Sequence, residues 1–139
     1  MSKEPHELAA AELSVAFTNR DLSPVEVTEA CLARIERSGA EINAFCLVDP
    51  ETSCKQAEAS EQRWMEGNPL SPMDGVPVAI KDLLLTKDWP TQRGSLTINP
   101  DSPWTDDAPS VARLREAGAV LIGRPPLRNL AGRALRTRR

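Results

Sequence analysis

The sequence predicts an incomplete α/β fold, helices first and a buried strand–helix–strand unit after them. Three observations predict it. Residues 7–67 carry helical periodicity, with start signals at Ser23 and Asp49. The stretches "VPVAIKDLLL" (76–85) and "AVLIG" (119–123) are short and almost continuously apolar, as strands covered on both faces are. Between them, "APSVARLREAG" (108–118) has the length and pattern of the crossover helix that two parallel strands require. Two such strands make a thin core for 139 residues, so the chain reads as the front part of something larger.

The elements follow in order. "HELAAAELSVAFTNRDL" (6–22) is an amphipathic helix with Leu8, Leu13 and Phe17 on its apolar stripe, stopping at the polar turn Asn19–Asp21. "SPVEVTEACLARIERSGA" (23–40) opens with Ser23 as N-cap, Pro24 at the first position and Glu26 completing a capping box. Val27, Cys31, Leu32 and Ile35 form its buried face, and Gly39 is its expected C-terminal cap. "AFCLVD" (44–49) is a short strand. A third helix starts at Asp49–Pro50 and ends at Gly67, followed by the breaker-rich loop "NPLSPMDG" (68–75). After the strand at 76–85 comes a long loop, "TKDWPTQRGSLTINPDSPWTDD" (86–107), then the crossover helix and the second strand.

Composition bounds the function. Hydrophobic residues make up 40% and charged residues 27%, a soluble globular balance. No apolar stretch approaches the roughly 18 residues that span a bilayer, and "MSKEPHELAA" lacks the apolar region of a signal peptide. A cytoplasmic location with no membrane partner is expected. Cys31, Cys46 and Cys54 show neither CxxC nor Cys/His ligand spacing, so they read as reduced structural thiols, and no metal or other cofactor is expected. There is no GxGxxG or Walker-type phosphate loop. The one histidine, His6, lies near the N-terminus, which points any catalytic base toward another residue type. Trp64, Trp89 and Trp104 are singly spaced and read as core or loop anchors sooner than as pocket walls.

Lys81 is the residue that stands out. It interrupts an apolar run at the carboxyl end of a sheet strand, where open α/β sheets place their sites. One reading is structural: the stem passes apolar neighbours and the amine reaches water. The other is chemical: burial disfavours the ammonium form and yields a usable base. Asp82 alongside would keep the amine charged only if it pointed the same way, and strand neighbours alternate faces.

"GVPVAIKD" (75–82), "WPTQRGS" (89–95) and "DDAPSVARLREAGAVLIG" (106–123), taken in that order, resemble the opening of the amidase signature family. "LSPVEVTEACLARIERSGAEINAFCLVD" (22–49) is similar to that family's N-terminal helices and first short strand. The resemblance implies a domain over residues 1–123, holding the first strands and helix of a mixed sheet. It also implies amide hydrolysis through a Ser–cis-Ser–Lys triad, with Lys81 as the buried general base and a small-molecule amide as substrate. In such a triad the lysine deprotonates the nucleophilic serine through a bridging serine, and an acyl-enzyme forms as ammonia or an amine leaves.

The two serines of that triad belong to a Gly/Ser-rich segment beyond the family's GxVxxGK(T)TxPEF stretch. Here "GAVLIG" is followed by "RPPLRNLAGRALRTRR" (124–139), and Gly94–Ser95 lies in the earlier loop and does not replace them. Residues 1–123 hold 11 Lys/Arg against 20 Asp/Glu, whereas residues 124–139 hold six Arg and no acid. A single nucleotide inserted after the Gly123 codon can turn this tail, with permitted codons, into GKTTTPEFGWKGVADSP, the kind of stretch the family pattern expects. The tail is therefore read as a frameshifted, non-family end on a truncated and catalytically silent amidase portion. The competing reading is a non-catalytic fragment that docks on a full-length amidase or amidotransferase. A basic arm for nucleic acid is disfavoured, since the tail has no aromatic residue and no Lys.

Overall fold

The computed structural model describes residues 3–127. Most of the Arg-rich tail therefore lies outside the described residues. A 3-10 helix at Pro5–Glu7 leads into α1 (Ala10–Asn19), α2 (Pro24–Ile42), β1 (Leu47–Val48), α3 (Pro50–Met65), β2 (Pro77–Ala79), α4 (Pro109–Glu116) and β3 (Val120–Arg124). The single N-terminal helix expected from the periodicity is thus two pieces. Leu8, at their junction, is extended at ψ 141°, while Leu13 and Phe17 are buried as expected.

The helix starts follow their capping chemistry. The Glu26 amide donates to Ser23 Oγ at 3.2 Å and the Ser23 amide to Glu26 Oε2 at 2.8 Å, satisfying two amides that the first turn leaves unpaired. Asp49 caps α3 by accepting from the Thr52 amide at 3.1 Å. The end of α2 differs from expectation. Gly39 stays helical, and Asn43 takes the left-handed conformation (φ 48°) with its amide donating to the Gly39 carbonyl. Asn tolerates that region because its short polar side chain can bond locally, so the helix runs on past the glycine.

The sheet order is β1-β3-β2. β2 and β3 are parallel, joined through the α4 crossover, and β1 pairs antiparallel to β3, with Leu47 opposite Arg124 and Val48 opposite Gly123. The result is a small mixed α/β sheet, as the sequence predicts. β3 is buried along its whole length because both of its faces are covered. Val120 and Ile122 pack with Ala57 of α3 and with Val25, Leu32 and Ile35 of α2. Leu121 faces the opposite way, onto Ile80, Trp89 and Val111. A third cluster, Leu13, Phe17, Val27 and Val76, ties α1 and α2 to the start of β2. Apolar area removed from water at about 25 cal/mol per Å² is what holds these layers together.

The segment 68–75 is fixed by a buried carboxylate. Asp74 is fully buried and accepts from Arg63 Nε (2.8 Å), Arg63 Nη2 (2.6 Å) and the Leu70 amide (2.8 Å). Burial pushes the Asp74 carboxyl up, but hydrogen bonds from Arg63 and Leu70, with the Arg63 charge, outweigh it and hold the group below its ordinary value. The Trp64 indole donates to the Asp74 carbonyl at 3.0 Å, and its ring lies 5.9 Å from that of Phe17. Trp64 is therefore an anchor for this corner.

Candidate active site

β2 ends at Ala79, and the chain continues beside β3: the Ile80 amide donates to the Gly123 carbonyl (3.0 Å) and the Asp82 amide to the Pro125 carbonyl (2.9 Å). Lys81 therefore sits just past the carboxyl end of β2. Its own carbonyl accepts from the amides of Leu83 (2.6 Å) and Leu84 (3.1 Å), which turns the chain away from the sheet.

The side chains alternate here. Ile80, Asp82 and Thr86 are buried, while Ala79, Lys81, Leu83 and Leu85 are exposed. The expected burial of Lys81 is not found: it occupies the outward face of a period-two segment, and no described element packs over that face. Leu83 and Leu85 share the exposure, at 48% and 38%. The amine of Lys81 has no hydrogen bond or ion pair with a described residue. Ser95, in the nearest family-like loop, engages Thr97 instead, with 2.8 Å between their hydroxyl oxygens.

Asp82 points inward. Its Oδ1 accepts from the Gln92 amide (2.9 Å) and its Oδ2 from the Gly94 amide (3.2 Å). Arg93 and Gly94 have φ values of 53° and 70°, and the Ser95 amide closes the turn onto the Gln92 carbonyl at 2.8 Å. Two consecutive left-handed residues make a tight mirror-image turn, which glycine accepts without steric cost. One carboxylate thus holds the loop that carries "WPTQRGS" against the segment that carries Lys81.

Behind Asp82 lies Arg124, only 1% exposed. Its Nη1 stands 3.4 Å from Asp82 Oδ1, and Nη1 and Nη2 each donate to the Leu84 carbonyl at 3.2 Å. Its guanidinium carbon is 5.9 Å from the centre of the Trp89 ring, within cation–π range. Burial pulls the Arg124 guanidinium down, against the opposing pull of Asp82. Trp89 in turn donates from Nε1 to Asp49 Oδ2 at 3.1 Å. Burial pushes Asp49 up, and hydrogen bonds from Thr52 and Trp89, with the Lys55 charge, bring it below its ordinary value.

A buried polar chain therefore runs from the start of α3 through Trp89 and Arg124 to the base of Lys81. Arg124, the first residue of the Arg-rich segment, is the last residue of β3. Sequence reading raised Asp82 only as a neighbour of Lys81 and missed Arg124. The available signal was an arginine directly after an apolar strand, 42 residues from an aspartate in a second one.

Other sites are less developed. An apolar cleft of about 360 Å³ lies between the end of α2 and β1, lined by Ile35, Phe45 and Val48 among others, and Lys81 does not border it. Among the described residues no group of three or more His, Cys, Asp or Glu is placed to hold a metal. No described helix is long and apolar enough to cross a membrane. Cys31, Cys46 and Cys54 are free thiols. Trp104 anchors its own loop by donating to the Pro100 carbonyl at 2.9 Å.

The sequence profile of the amidase family matches residues 26–132. The chain belongs to the amidase family. The match passes Gly123 and takes in part of the Arg-rich segment. Among curated amidase relatives, the chain is 39% identical over 121 residues to the glutamyl-tRNA(Gln) amidotransferase A subunit of Chloroflexus aurantiacus, covering 87% of this chain and 25% of that protein. The corresponding protein of Geobacter sulfurreducens is 41% identical, with 87% and 24% covered. Among solved amidases, the peptide amidase of Stenotrophomonas maltophilia superposes with a TM-score of 0.80 at 29% identity, over 88% of this chain and 26% of that one. The chain thus spans about a quarter of the length of the relatives it matches.

Proposed function

We propose that this chain contributes the proton-accepting lysine, Lys81, to the hydrolysis of carboxylic amides by an amidase signature domain. The observation that carries the reading is the placement of Lys81. It lies at the carboxyl end of a parallel strand in a fold matched by a peptide amidase, with its amine unpaired among the described residues and its acidic neighbour turned inward. In the reaction, the neutral amine takes a proton, relayed through a bridging serine, from a nucleophilic serine as that oxygen attacks the amide carbonyl. The carbon–nitrogen bond of the resulting tetrahedral species breaks, the nitrogen leaves protonated, and water resolves the ester.

Neither serine has a counterpart beside Lys81 among the described residues. The 139 residues alone are therefore expected to be silent, and the substrate, a small-molecule amide, would be bound by portions of the domain outside those matched here. The same chemistry serves ammonia transfer, which fits the amidotransferase subunits among the relatives.

Two assays test this. The purified chain is expected to release no ammonia from simple carboxamides above buffer. Residues 26–124, exchanged for the matching segment of the Stenotrophomonas maltophilia peptide amidase, are expected to support turnover that Lys81→Ala lowers by about 10²–10⁴-fold, the range for loss of a general base. Turnover in the exchanged enzyme that survives Lys81→Ala would remove Lys81 from the mechanism.

A further inference from the structure

A lysine followed directly by an aspartate poses a chemical problem for a lysine that must accept a proton. A carboxylate beside an amine favours the charged ammonium, which has no lone pair to offer. Backbone alternation separates the two side chains here but does not by itself dispose of the charge, because a buried carboxylate in a medium of low permittivity acts over several ångströms. Something has to compensate it.

The structure identifies what does. The Asp82 carboxylate is met by two backbone amides, Gln92 and Gly94, and by one full positive charge, Arg124. Among the described residues its charge also reaches Cys46, whose thiol is pushed up by burial and by Asp82 and whose amide donates to the Arg124 carbonyl at 2.8 Å. Arg124 is buried to 1% and fixed on three sides, by Asp82, by the Leu84 carbonyl and by the Trp89 ring. Its Nη1 also lies 3.5 Å from the Lys81 carbonyl, so the same guanidinium touches the backbone of the residue it would protect. Lys81 alternates with the buried Ile80 and Asp82 and is exposed, as are Ala79, Leu83 and Leu85 at the same alternate positions, none of which carries charge. A buried cation is costly unless paired, and Arg124 keeps an Nε–H with no partner among the described residues. Packing alone does not explain an arginine at this point.

We propose that Arg124 is a charge-compensating residue that withdraws the Asp82 carboxylate from the adjacent Lys81 amine and leaves that amine free to accept a proton. The purpose assigned to it rests on the reading of Lys81 as base; the electrostatic arrangement does not, and is measured separately. Arg124 acts through Lys81 and touches no reacting atom, so it is a positioning residue. The family pattern GxVxxGK places a lysine where this chain has Arg124, and a lysine retains the charge while losing the fork.

The test is competitive acetylation of the full 139-residue chain with trace acetic anhydride at fixed, mildly alkaline pH. Peptide mass spectrometry compares Lys81 with Lys55, which pairs with Glu51 on a different element and serves as internal reference. Only the neutral amine reacts, so the ratio reads how strongly nearby charge holds the ammonium. In Arg124→Gln the uncompensated carboxylate is expected to slow Lys81 relative to Lys55 by about threefold, the order of effect that one charge on a neighbouring residue exerts through partly aqueous surroundings. Arg124→Lys should keep the parental ratio, and the double variant Asp82→Asn with Arg124→Gln should return to it. A merely structural role would leave the double variant at least as disturbed as the single one.

An unchanged ratio in Arg124→Gln, or a double variant that fails to recover, overturns the proposal. Should Arg124→Gln not fold by far-ultraviolet circular dichroism, Asp82→Asn alone decides. With the carboxylate gone the Arg124 charge stands unopposed, so Lys81 is expected to gain about threefold on Lys55, and an unchanged ratio overturns the proposal. An amidase assay that fails while these ratios behave as expected rejects Lys81 as base without touching the charge arrangement.

Discussion

Replacing Asp74 by alanine removes the carboxylate that closes the corner between α3 and β2. Three donors lose their acceptor: Arg63 Nε, Arg63 Nη2 and the Leu70 amide, at 2.6–2.8 Å. Breaking a buried ion pair by deleting one partner costs about 3–5 kcal/mol, because the other is left uncompensated. Arg63 retains 27% side-chain exposure and can recover water, which places the expected cost at the lower end, about 3 kcal/mol. For a chain of this size that corresponds to a fall in Tm of about 10 °C. Urea unfolding followed by tryptophan fluorescence and by far-ultraviolet circular dichroism measures it. The control is Glu51→Ala, which breaks the Lys55–Glu51 pair. That pair is as short, at 2.6 Å, but 69% and 81% exposed, and its loss should cost no more than about 0.5 kcal/mol. If the two substitutions shift the midpoint equally, or Asp74→Ala costs under about 1 kcal/mol, burial does not decide the worth of these pairs and the reasoning fails.

Two further outcomes are expected. Gly118→Ala should destabilise by about 3 kcal/mol, since φ there is +84° and an added Cβ would stand 2.7 Å from Asp74 Cγ; an unchanged urea midpoint would contradict the close approach. Acid should weaken the fold through Asp74 and Asp49, both held below their ordinary values. Their contribution is complete above the unfolded carboxyl value of about 3.9 and is lost as pH falls through the lower folded values. Asp74→Asn, which has no such proton to bind, should show a shallower loss of stability with acid, read from urea midpoints across that range.

Much of the fold was legible because its signals are local. Ser23 with Pro24 and Glu26, and Asp49 with Pro50, announce helix starts through hydrogen bonds spanning three residues. The continuous apolar character of Val120–Ile122 reflects a strand covered on both faces. The position of Lys81 at the end of β2 was legible too, but its exposure was not. An apolar run of ten residues reads as buried throughout, yet only alternate members face the core, and what covers the other face depends on elements distant in sequence. Gly39 misled because a cap is defined by where the helix stops, and Asn43 could take the left-handed turn equally well. The pair Asp82 and Arg124 was invisible for a third reason. Nothing local links them; they meet only because β2 and β3 pair in parallel.

The middle place of β3 in the sheet has a consequence for the growing chain. Both neighbours find their hydrogen-bond partners on β3, although β3 is the last described strand to be synthesised. Leu47 waits for Arg124, and Pro77 for Val120, so neither of the described sheet pairings can form until residues 120–124 have cleared the ribosome. Until then α2 and α3 have one another, α1 and the segment up to Val76 to shelter their apolar faces, but not β3. Val25, Leu32, Ile35 and Ala57 lack the cover of Val120 and Ile122 until that point. Loop closure over such separations makes assembly slow and leaves that interval as the time when a nascent chain is most exposed to aggregation or in need of a chaperone.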